Sequence, residues 1–209
     1  TNSMYLGHDP NSTTSTAEYN IAVGVTALDA ITTGDSNTVV GYAAGTAITT
    51  GSQNTAIGTS ALQTNTVGSS STAVGHWALK SHNVGGSAET KNTALGAFAG
   101  QNITTGTENT ALGYQALQLE DAGTQSVAVG ARSLYSQNGS GRNVAIGDNS
   151  LAALNYDGNG YNTAVGFYSG AAMTTGIQNT LIGALAGDSL AGGSQNVAVG
   201  MYALSTEDT

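Results

Sequence analysis

The side chains best suited to recognition gather in one stretch of the chain, residues 76–91. It holds two of the three histidines, two of the four basic residues and the only tryptophan of the protein. Aromatic rings and cations offer stacking surfaces and hydrogen-bond donors to a ligand. We therefore single out His76, Trp77, Lys80, His82 and Lys91 as candidate receptor-binding residues.

The same residues do not form a catalytic pattern. His76 and His82 lie six positions apart, and no nucleophile motif accompanies them. The acidic residues are scattered, with Glu120 and Asp121 as a single adjacent pair, and we expect them to be solvated turn charges. The Gly-Gly-x-Gly-x-Asp repeat of calcium-binding β-solenoids is missing. The sequence thus predicts no enzymatic activity, no cofactor and no metal site.

The overall charge narrows the class of partner. The formal net charge is -9, and only 8% of the 209 residues are charged. Neutralising phosphates requires clustered Lys and Arg, so nucleic acid and anionic membranes are not expected partners. No apolar run approaches the roughly 18 residues of a membrane helix, so membrane insertion is not expected either.

A five-residue motif, Asn54-Thr55-Ala56-Ile57-Gly58, recurs throughout the chain. Its final glycine serves as an index. The index glycines are Gly7, Gly24, Gly41, Gly58, Gly75, Gly96, Gly113, Gly130, Gly147, Gly166, Gly183 and Gly200. Nine of the eleven steps between them are 17 residues, and the other two are 21 and 19. A fixed period of this kind indicates a repeat architecture with insertions, which fall at residues 81–91 and 155–161.

Within a repeat, the motif predicts a short strand. Its second and fourth positions are β-branched or aliphatic and share one face, whereas its small third position lies on the other. An Ala or Ser and then a Leu or Gly follow, and we interpret them as a second strand or extended side. The next turn often reads Thr-Thr-Gly, as at 49–51, and its glycine is expected to need a positive φ.

The predicted fold is all-β: a parallel β-solenoid of about twelve 17-residue coils. Residues 1–19 read as a degraded first coil or joint because Pro10 interrupts the pattern, and residues 20–209 form the repeat domain. The chain stops within a unit, and we expect further chain or a partner to continue the rod. Because one coil has a small core, we expect its small third position and the Leu or Gly column to pack against copies of the same chain.

Three features leave alternatives open. The insertion at 81–91 is either a tolerated surface loop or a binding loop. The threonines at the second motif position could form an ice-binding array, but Ile and Val interrupt them, which favours an inward or interface position. An aromatic column after the index glycine could stack on sugar rings or pack between protomers. It contains Tyr42, His76, Trp77, Phe98, Tyr114, Phe167, Tyr168 and Tyr202.

The pattern Asn-x-Ala-Val/Ile-Gly-x-x-Ala resembles the head repeats of trimeric autotransporter adhesins and the related repeats of bacteriophage tail fibres. The opening residues 2–10, the segment 19–24 and the Thr-Thr-Gly turns are more similar to the phage version. The resemblance covers nearly the whole chain. It implies a left-handed β-roll and a homotrimer, intertwined or side by side. The 17-residue period departs from the shorter repeat common in adhesin heads.

The resemblance also implies a function. We expect a structural and adhesive segment of a tail fibre, located in the virion, which supports or mediates recognition of a host-surface glycan or protein. Its other partners would be copies of itself and other tail proteins. The alternatives are the head of a bacterial adhesin at the cell surface and, less favoured, a polysaccharide-degrading fibre.

Overall fold

The computed structural model describes residues 3–7, 16–86, 89–139 and 141–205, which wind into a β-solenoid with a single parallel sheet of twelve strands. Strand order in the sheet follows chain order, so each coil pairs with its two neighbours. The strands are β1 (Met4–Leu6), β2 (Ile21–Val23), β3 (Thr38–Val40), β4 (Thr55–Ile57), β5 (Thr72–Val74), β6 (Thr93–Leu95), β7 (Thr110–Leu112), β8 (Val127–Val129), β9 (Val144–Ile146), β10 (Thr163–Val165), β11 (Thr180–Ile182) and β12 (Val197–Val199). No helix occurs in the described ranges. The predicted all-β solenoid with 17-residue spacing is confirmed.

The insertions leave the register of the sheet intact. Thr72 opposes Thr93 across the four-residue insertion, and Val144 opposes Thr163 across the two-residue insertion. The extra residues are therefore accommodated between the strands and do not shift the pairing of the sheet. β1 pairs with β2 in the same register as the other strands, whereas Pro10 lies outside the described residues.

The third motif position and the Leu or Gly column share one core inside the coil. Ala56 and Leu62 are both fully buried there. Where Val39 or Leu181 replaces the motif alanine, glycine replaces the leucine of that coil. A Cβ on Gly45 would lie 3.3 Å from a Val39 methyl carbon, and one on Gly187 would lie 2.9 Å from a Leu181 methyl carbon. The expectation that these two columns form a second packed face between copies is therefore wrong, because they fill each other's space.

The side of the coil that follows the index glycine is a series of turns and not a second strand, so that prediction is wrong. Residues two and four positions after the glycine have left-handed backbone conformations, as at Ser60 (φ 53°) and Leu62 (φ 52°). A third left-handed residue precedes the motif, as at Gln53 (φ 60°). A left-handed non-glycine residue costs about 1 kcal/mol, and it bends the chain where an extended segment would continue straight.

Asparagine at the first motif position ties each coil to the next. Asn54 donates from Nδ2 to the carbonyl of Gly68 (2.9 Å), and its Oδ1 accepts the N–H of Ser71 on the following coil (3.0 Å). Buried polar groups need such partners, and here one side chain satisfies two backbone groups. The same Nδ2 bond joins Asn20 to Gly34, Asn37 to Gly51, Asn92 to Gly106, Asn109 to Gly123, Asn162 to Gly176 and Asn179 to Gly193.

Glycine is required at two places in the coil for different reasons. The index glycine needs a positive φ, as at Gly58 (φ 128°), and a Cβ there would also lie 2.5 Å from the carbonyl oxygen of Gly75. The turn glycine Gly51 is not among the residues with positive φ, so the expectation for the Thr-Thr-Gly turns is wrong. It is glycine because a side chain would collide with the Gly68 carbonyl of the next coil.

The core contains two matching polar inclusions. The residue seven positions after the index glycine is apolar in six described coils: Ile31, Ile48, Ile103, Leu154, Met173 and Leu190. It is polar and fully buried in four coils, which form the pairs Asn65 with His82 and Glu120 with Gln137. Between the members of each pair, the asparagine ladder carries a serine, Ser71 or Ser126.

The polar residues replace the hydrogen bonds that serine cannot make. A ladder asparagine usually receives a bond from the next asparagine, as when Asn37 Nδ2 donates to Asn20 Oδ1 (3.0 Å). Serine has no carboxamide oxygen. After Ser126, Asn143 Nδ2 donates to Gln137 Oε1 (3.0 Å). After Ser71, Asn92 Nδ2 lies 3.0 Å from His82 Nε2.

Glu120 is buried, and the expectation that it is a solvated turn charge is wrong. Its Oε1 accepts the N–H groups of Asp121 (3.0 Å), Gly123 (2.6 Å) and Gly139 (2.9 Å), and its Oε2 accepts from Gln137 Nε2 (2.6 Å). All four partners are donors, which suits an acceptor-only carboxylate. Its role is to complete the hydrogen bonds of this inclusion.

Candidate receptor-binding surface

Four aromatic rings meet on the outer corner that follows β5, β6 and β7. His76 and Trp77 have ring centroids 4.8 Å apart, Trp77 and Phe98 5.6 Å, and Phe98 and Tyr114 5.9 Å. The last two contacts are edge-to-face, an arrangement that favours aromatic pairs by about 0.5–1.5 kcal/mol. We call these four residues the aromatic row. It spans three successive coils.

A row of polar side chains runs beside the aromatic row. Lys80 places its Nζ 4.0 Å from the centroid of the Trp77 ring, within the range of a cation–π contact. Gln101 and Gln118 occupy the position of Lys80 in the next two coils, and Gln118 Nε2 donates to Gln101 Oε1 (2.7 Å). We call Lys80, Gln101 and Gln118 the polar row. The candidates His76, Trp77 and Lys80 thus lie together.

The fold does not require aromatic residues at this corner. Trp77 and Phe98 have left-handed backbones, and Ala43, Ser60 and Asn149 adopt the same conformation at the same position of other coils. Alanine therefore satisfies the backbone conformation of this corner as well as an aromatic residue does. Tyr114, with 46% of its surface exposed, is also not held in the core. The aromatic row is therefore an addition to the scaffold.

His82 cannot contact a receptor, because it is fully buried in the core. Desolvation by burial lowers the pKa of His82 to about 4, although the nearby carbonyl of Gly106 favours the charged form. Asn92 Nδ2 also donates to that carbonyl (2.8 Å), which fixes this nitrogen as a donor toward His82 Nε2. The assignment of His82 to the binding surface is wrong; the residue belongs to the polar inclusion.

Lys91 lies away from the aromatic row. It precedes β6, whereas the aromatic corner follows the strands, so a strand separates the two positions. Its Nζ contacts Glu89 Oε2 at 2.7 Å. The hydrogen bond with Lys91 lowers the pKa of Glu89 and raises that of Lys91. Both side chains are solvent-exposed, so this ion pair contributes little to stability.

The insertion at 81–91 leaves the coil at the turn and rejoins it before β6. Asn83 donates its N–H to the carbonyl of Thr104 (2.8 Å), and Thr90 donates to that of Ser69 (3.0 Å). Gly85 and Gly86 between these anchors are exposed, and residues 87 and 88 lie outside the described set. The described parts of the insertion therefore lie on the turn side of the coil and not at the aromatic corner.

The outer face of the sheet is exposed along the solenoid. The second and fourth motif positions point outward along all twelve strands, so the prediction that they share one face is confirmed, and an inward position for the threonines is wrong. Ile57, Leu95 and Ile182 each expose about two fifths of their surface. Contiguous apolar surfaces of this kind mark association sites.

A smaller aromatic pair occupies the same corner near the other end of the solenoid. Phe167 and Tyr168 have centroids 4.5 Å apart and are exposed. In the coil before them, the two-residue insertion at 155–161 ends at Tyr161, whose hydroxyl accepts a hydrogen bond from Arg142 (3.2 Å). This pair provides an internal comparison for the aromatic row.

Within residues 3–7, 16–86, 89–139 and 141–205 there is no enclosed pocket and no group of three or more His, Asp or Glu side chains placed to hold a metal ion. Nor does this part of the chain contain a helix long and apolar enough to cross a membrane. What it offers a ligand is its outer surface, of which the aromatic corner and the sheet face are the two distinctive areas.

Comparison with known proteins found no matching family model, no similar curated protein and no similar solved structure.

Sequence reasoning named the aromatic residues but missed the polar row and the core inclusions. A signal for the inclusions existed: Ser71 and Ser126 break the asparagine ladder, and each has a polar residue six positions before it and eleven after it. For the polar row, Gln101 and Gln118 differ by one period. Their place beside the rings depends on the turn geometry, which periodicity does not give.

Proposed function

We propose that this chain is a structural and adhesive segment of a bacteriophage tail fibre, a homotrimeric left-handed β-roll that supports or mediates recognition of a host surface. The observation that carries the proposal is the outward column of Val, Ile and Leu that runs along all twelve strands of a rod-like solenoid. A rod transmits attachment over a distance, and an apolar side allows rods to associate lengthwise. The resemblance of the repeats to tail fibres and adhesin heads supports the same conclusion.

In this proposal, the outer sheet face is where the three chains meet. Val, Ile or Leu occupies the fourth motif position of all twelve strands, so this column of the face is apolar, and threonine occupies seven of the twelve second positions beside it. Charged side chains, which are depleted at the cores of interfaces, are absent from the second and fourth positions of these strands. Burying such a face gains roughly 25 cal/mol per Å² of apolar surface.

The oligomeric state can be tested by light scattering. The expected mass is about three times the 20.7 kDa of one chain. Replacing Ile57→Lys and Leu112→Lys places charges on the sheet face and should reduce the mass to that of one chain. Gln53→Lys and Gln125→Lys, at exposed corners, add the same charge elsewhere and should leave the mass unchanged. A single-chain mass for the unaltered protein would overturn the trimer.

Adhesion can be tested with fluorescently labelled protein on a panel of bacterial isolates. Saturable binding that excess unlabelled protein abolishes is expected for at least one isolate. Binding to none would contradict the adhesive role. A tail-attachment sequence in the full open reading frame would favour the phage fibre, whereas a membrane anchor would favour the adhesin head. Release of reducing sugar ends from host polysaccharide would instead indicate an enzyme.

Ice binding is a second candidate, favoured by the outward threonine column. The hydroxyls of these threonines have no hydrogen-bond partner among the described residues, and they occupy the same position of their coils on one outward face. They are Thr38, Thr55, Thr72, Thr93, Thr110, Thr163 and Thr180. Ile21, Val127, Val144 and Val197 interrupt the column. Inhibition of ice recrystallisation by the purified protein, lost in Thr55→Lys, would support this candidate over self-association.

A further inference from the structure

We propose that the aromatic row and the polar row together bind an uncharged saccharide chain that lies along the solenoid axis. This inference rests on the proposed adhesive function and names the chemical class of its surface ligand. The site lies on the corner after β5, β6 and β7. It excludes His82, which lies in the core, and Lys91, which precedes β6.

The aromatic row supplies the stacking surface. The faces of aromatic rings are electron-rich, so they attract the C–H groups on the apolar side of a sugar ring. Tyr114 has almost half of its surface exposed, and Trp77 and Phe98 are partly exposed. Because no pocket encloses these rings in the described part of the chain, the ligand that suits them is one that binds by lying flat across several coils.

The polar row supplies hydrogen bonds at the edge of the stacked rings. A carboxamide N–H group donates to the oxygen of a sugar hydroxyl. Gln118 Nε2 donates to Gln101 Oε1, and Gln118 Oε1 is buried, so neither oxygen is offered to a ligand. The Nε2 group of Gln101 makes no hydrogen bond among the described residues and is the donor that the row presents to a sugar hydroxyl. Lys80 contacts Trp77 and holds that ring in place. The combination of stacked rings and adjacent amides is suited to a saccharide and not to an apolar partner.

The charge of the protein selects an uncharged ligand. The net charge of -9 repels anionic chains, and Lys80 is the only basic residue of the two rows. A sulfated, sialylated or phosphate-linked chain would need clustered Lys or Arg to offset this field. An uncharged chain incurs no such penalty.

The repeat of the solenoid also predicts a dependence on ligand length. Trp77, Phe98 and Tyr114 lie on three successive coils. Their ring centroids are 5.6 Å apart from the first coil to the second and 5.9 Å apart from the second to the third. One sugar unit can contact one or two of these rings, whereas a longer chain contacts all three coils at once. Linked contacts raise the effective concentration of each further unit, so affinity should increase from mono- to hexasaccharide.

Trp77 provides a direct measurement, because it is the only tryptophan of the chain. The probes are uncharged linear hexasaccharides of glucose, mannose or N-acetylglucosamine, their monosaccharides, and a hyaluronan hexasaccharide as the anionic comparator. We expect the Trp77 emission of the full chain to shift with at least one uncharged hexasaccharide. The response should be weaker with its monosaccharide and absent with hyaluronan.

The variants copy residues that other coils already carry. Phe98→Ala reproduces Ala43, and Tyr114→Ala reproduces Ala131, so both variants should fold. Each substitution should raise the dissociation constant about tenfold, because one stacking contact is lost. Phe167→Ala, which reproduces Ala184, removes a ring from the second pair and should leave the affinity unchanged. Circular dichroism confirms that each variant is folded.

Three results would overturn the inference. One is the absence of binding to all the uncharged hexasaccharides, by Trp77 emission and by calorimetry. Another is unchanged affinity in Phe98→Ala. The last is a fall in oligomeric mass in Phe98→Ala, which would make the corner an interface between chains. If labelled Phe98→Ala protein still binds bacterial cells as the unaltered chain does, the adhesive function stands and only this site is wrong. If the unaltered chain binds no cells, the adhesive function itself fails.

Discussion

Part of the acid destabilisation of this protein should come from His82. The side chain is fully buried, its pKa is about 4, and its ordinary value is 6.5. As the pH falls, the unfolded chain therefore takes up the proton first. The stabilising contribution is complete above pH 6.5 and is lost as the pH falls from 6.5 to about 4. Protonation would also set an N–H of His82 against the Nδ2 donor of Asn92.

The size of the effect follows from the two pKa values. One pKa unit corresponds to about 1.4 kcal/mol, so the shift from 6.5 to about 4 limits the loss to roughly 3 kcal/mol. Between about pH 7.5 and about pH 4.5, the free energy of unfolding should fall by about 2.5 kcal/mol through this residue alone. Since folded domains are stable by only about 5–15 kcal/mol, such a loss is readily measured.

The assay is urea unfolding at the two pH values, followed by circular dichroism. His82→Ile copies Ile103 of the next coil and cannot take up a proton, so its stability should lose about 2.5 kcal/mol less than that of the unaltered chain over this interval. Carboxylate titration is common to both proteins and cancels in the difference. His76→Gln is the control, because His76 is exposed, and it should behave like the unaltered chain. Equal losses in His82→Ile and the unaltered chain would refute the reasoning.

Three further predictions concern the scaffold, and urea unfolding tests each of them. Glu120→Gln turns an amide donor toward groups that already donate, and it should cost about 1–3 kcal/mol, whereas Glu108→Gln at an exposed corner should cost almost nothing. Gly58→Ala strains a positive φ and drives a methyl group into the next coil, so the free energy of unfolding should fall by at least about 3 kcal/mol. Gly85→Ala is the control, because an added methyl group there meets no described atom, and its stability should be almost unchanged. Thr26→Gly relieves a left-handed β-branched residue (φ 55°) and should raise stability by up to about 1 kcal/mol, so a decrease would contradict the assigned strain.

The polar inclusions show how a repeat protein tolerates a change in its ladder. Ser71 and Ser126 each remove a carboxamide, and in both places a buried side chain from the core column takes over the lost acceptor. The asparagine of the next coil, Asn92 or Asn143, therefore still has a partner for its Nδ2 group. The bond from Asn143 Nδ2 to Gln137 Oε1 accounts for a polar residue where six other coils are apolar.

The sequence by itself determined the periodic part of this protein. A 17-residue spacing of Asn-Thr-Ala-Ile-Gly motifs is enough to predict stacked coils, because in-register stacking places identical residues next to each other once per turn. The positions of the insertions and the shared face of the second and fourth motif residues followed from the same count. Gly58 could also be assigned to a corner from its recurrence alone.

Only the tertiary structure decided what each column faces. Periodicity places Thr55, Leu62 and His82 in columns but does not say whether a column points inward or outward. That depends on the left-handed backbone conformation of corner residues such as Ser60, a conformation that non-glycine residues adopt against their intrinsic preference. Those corners turn Leu62 and His82 into the core and leave Thr55 outside. They also bring Trp77 and Phe98, 21 residues apart in the chain, into contact on the surface.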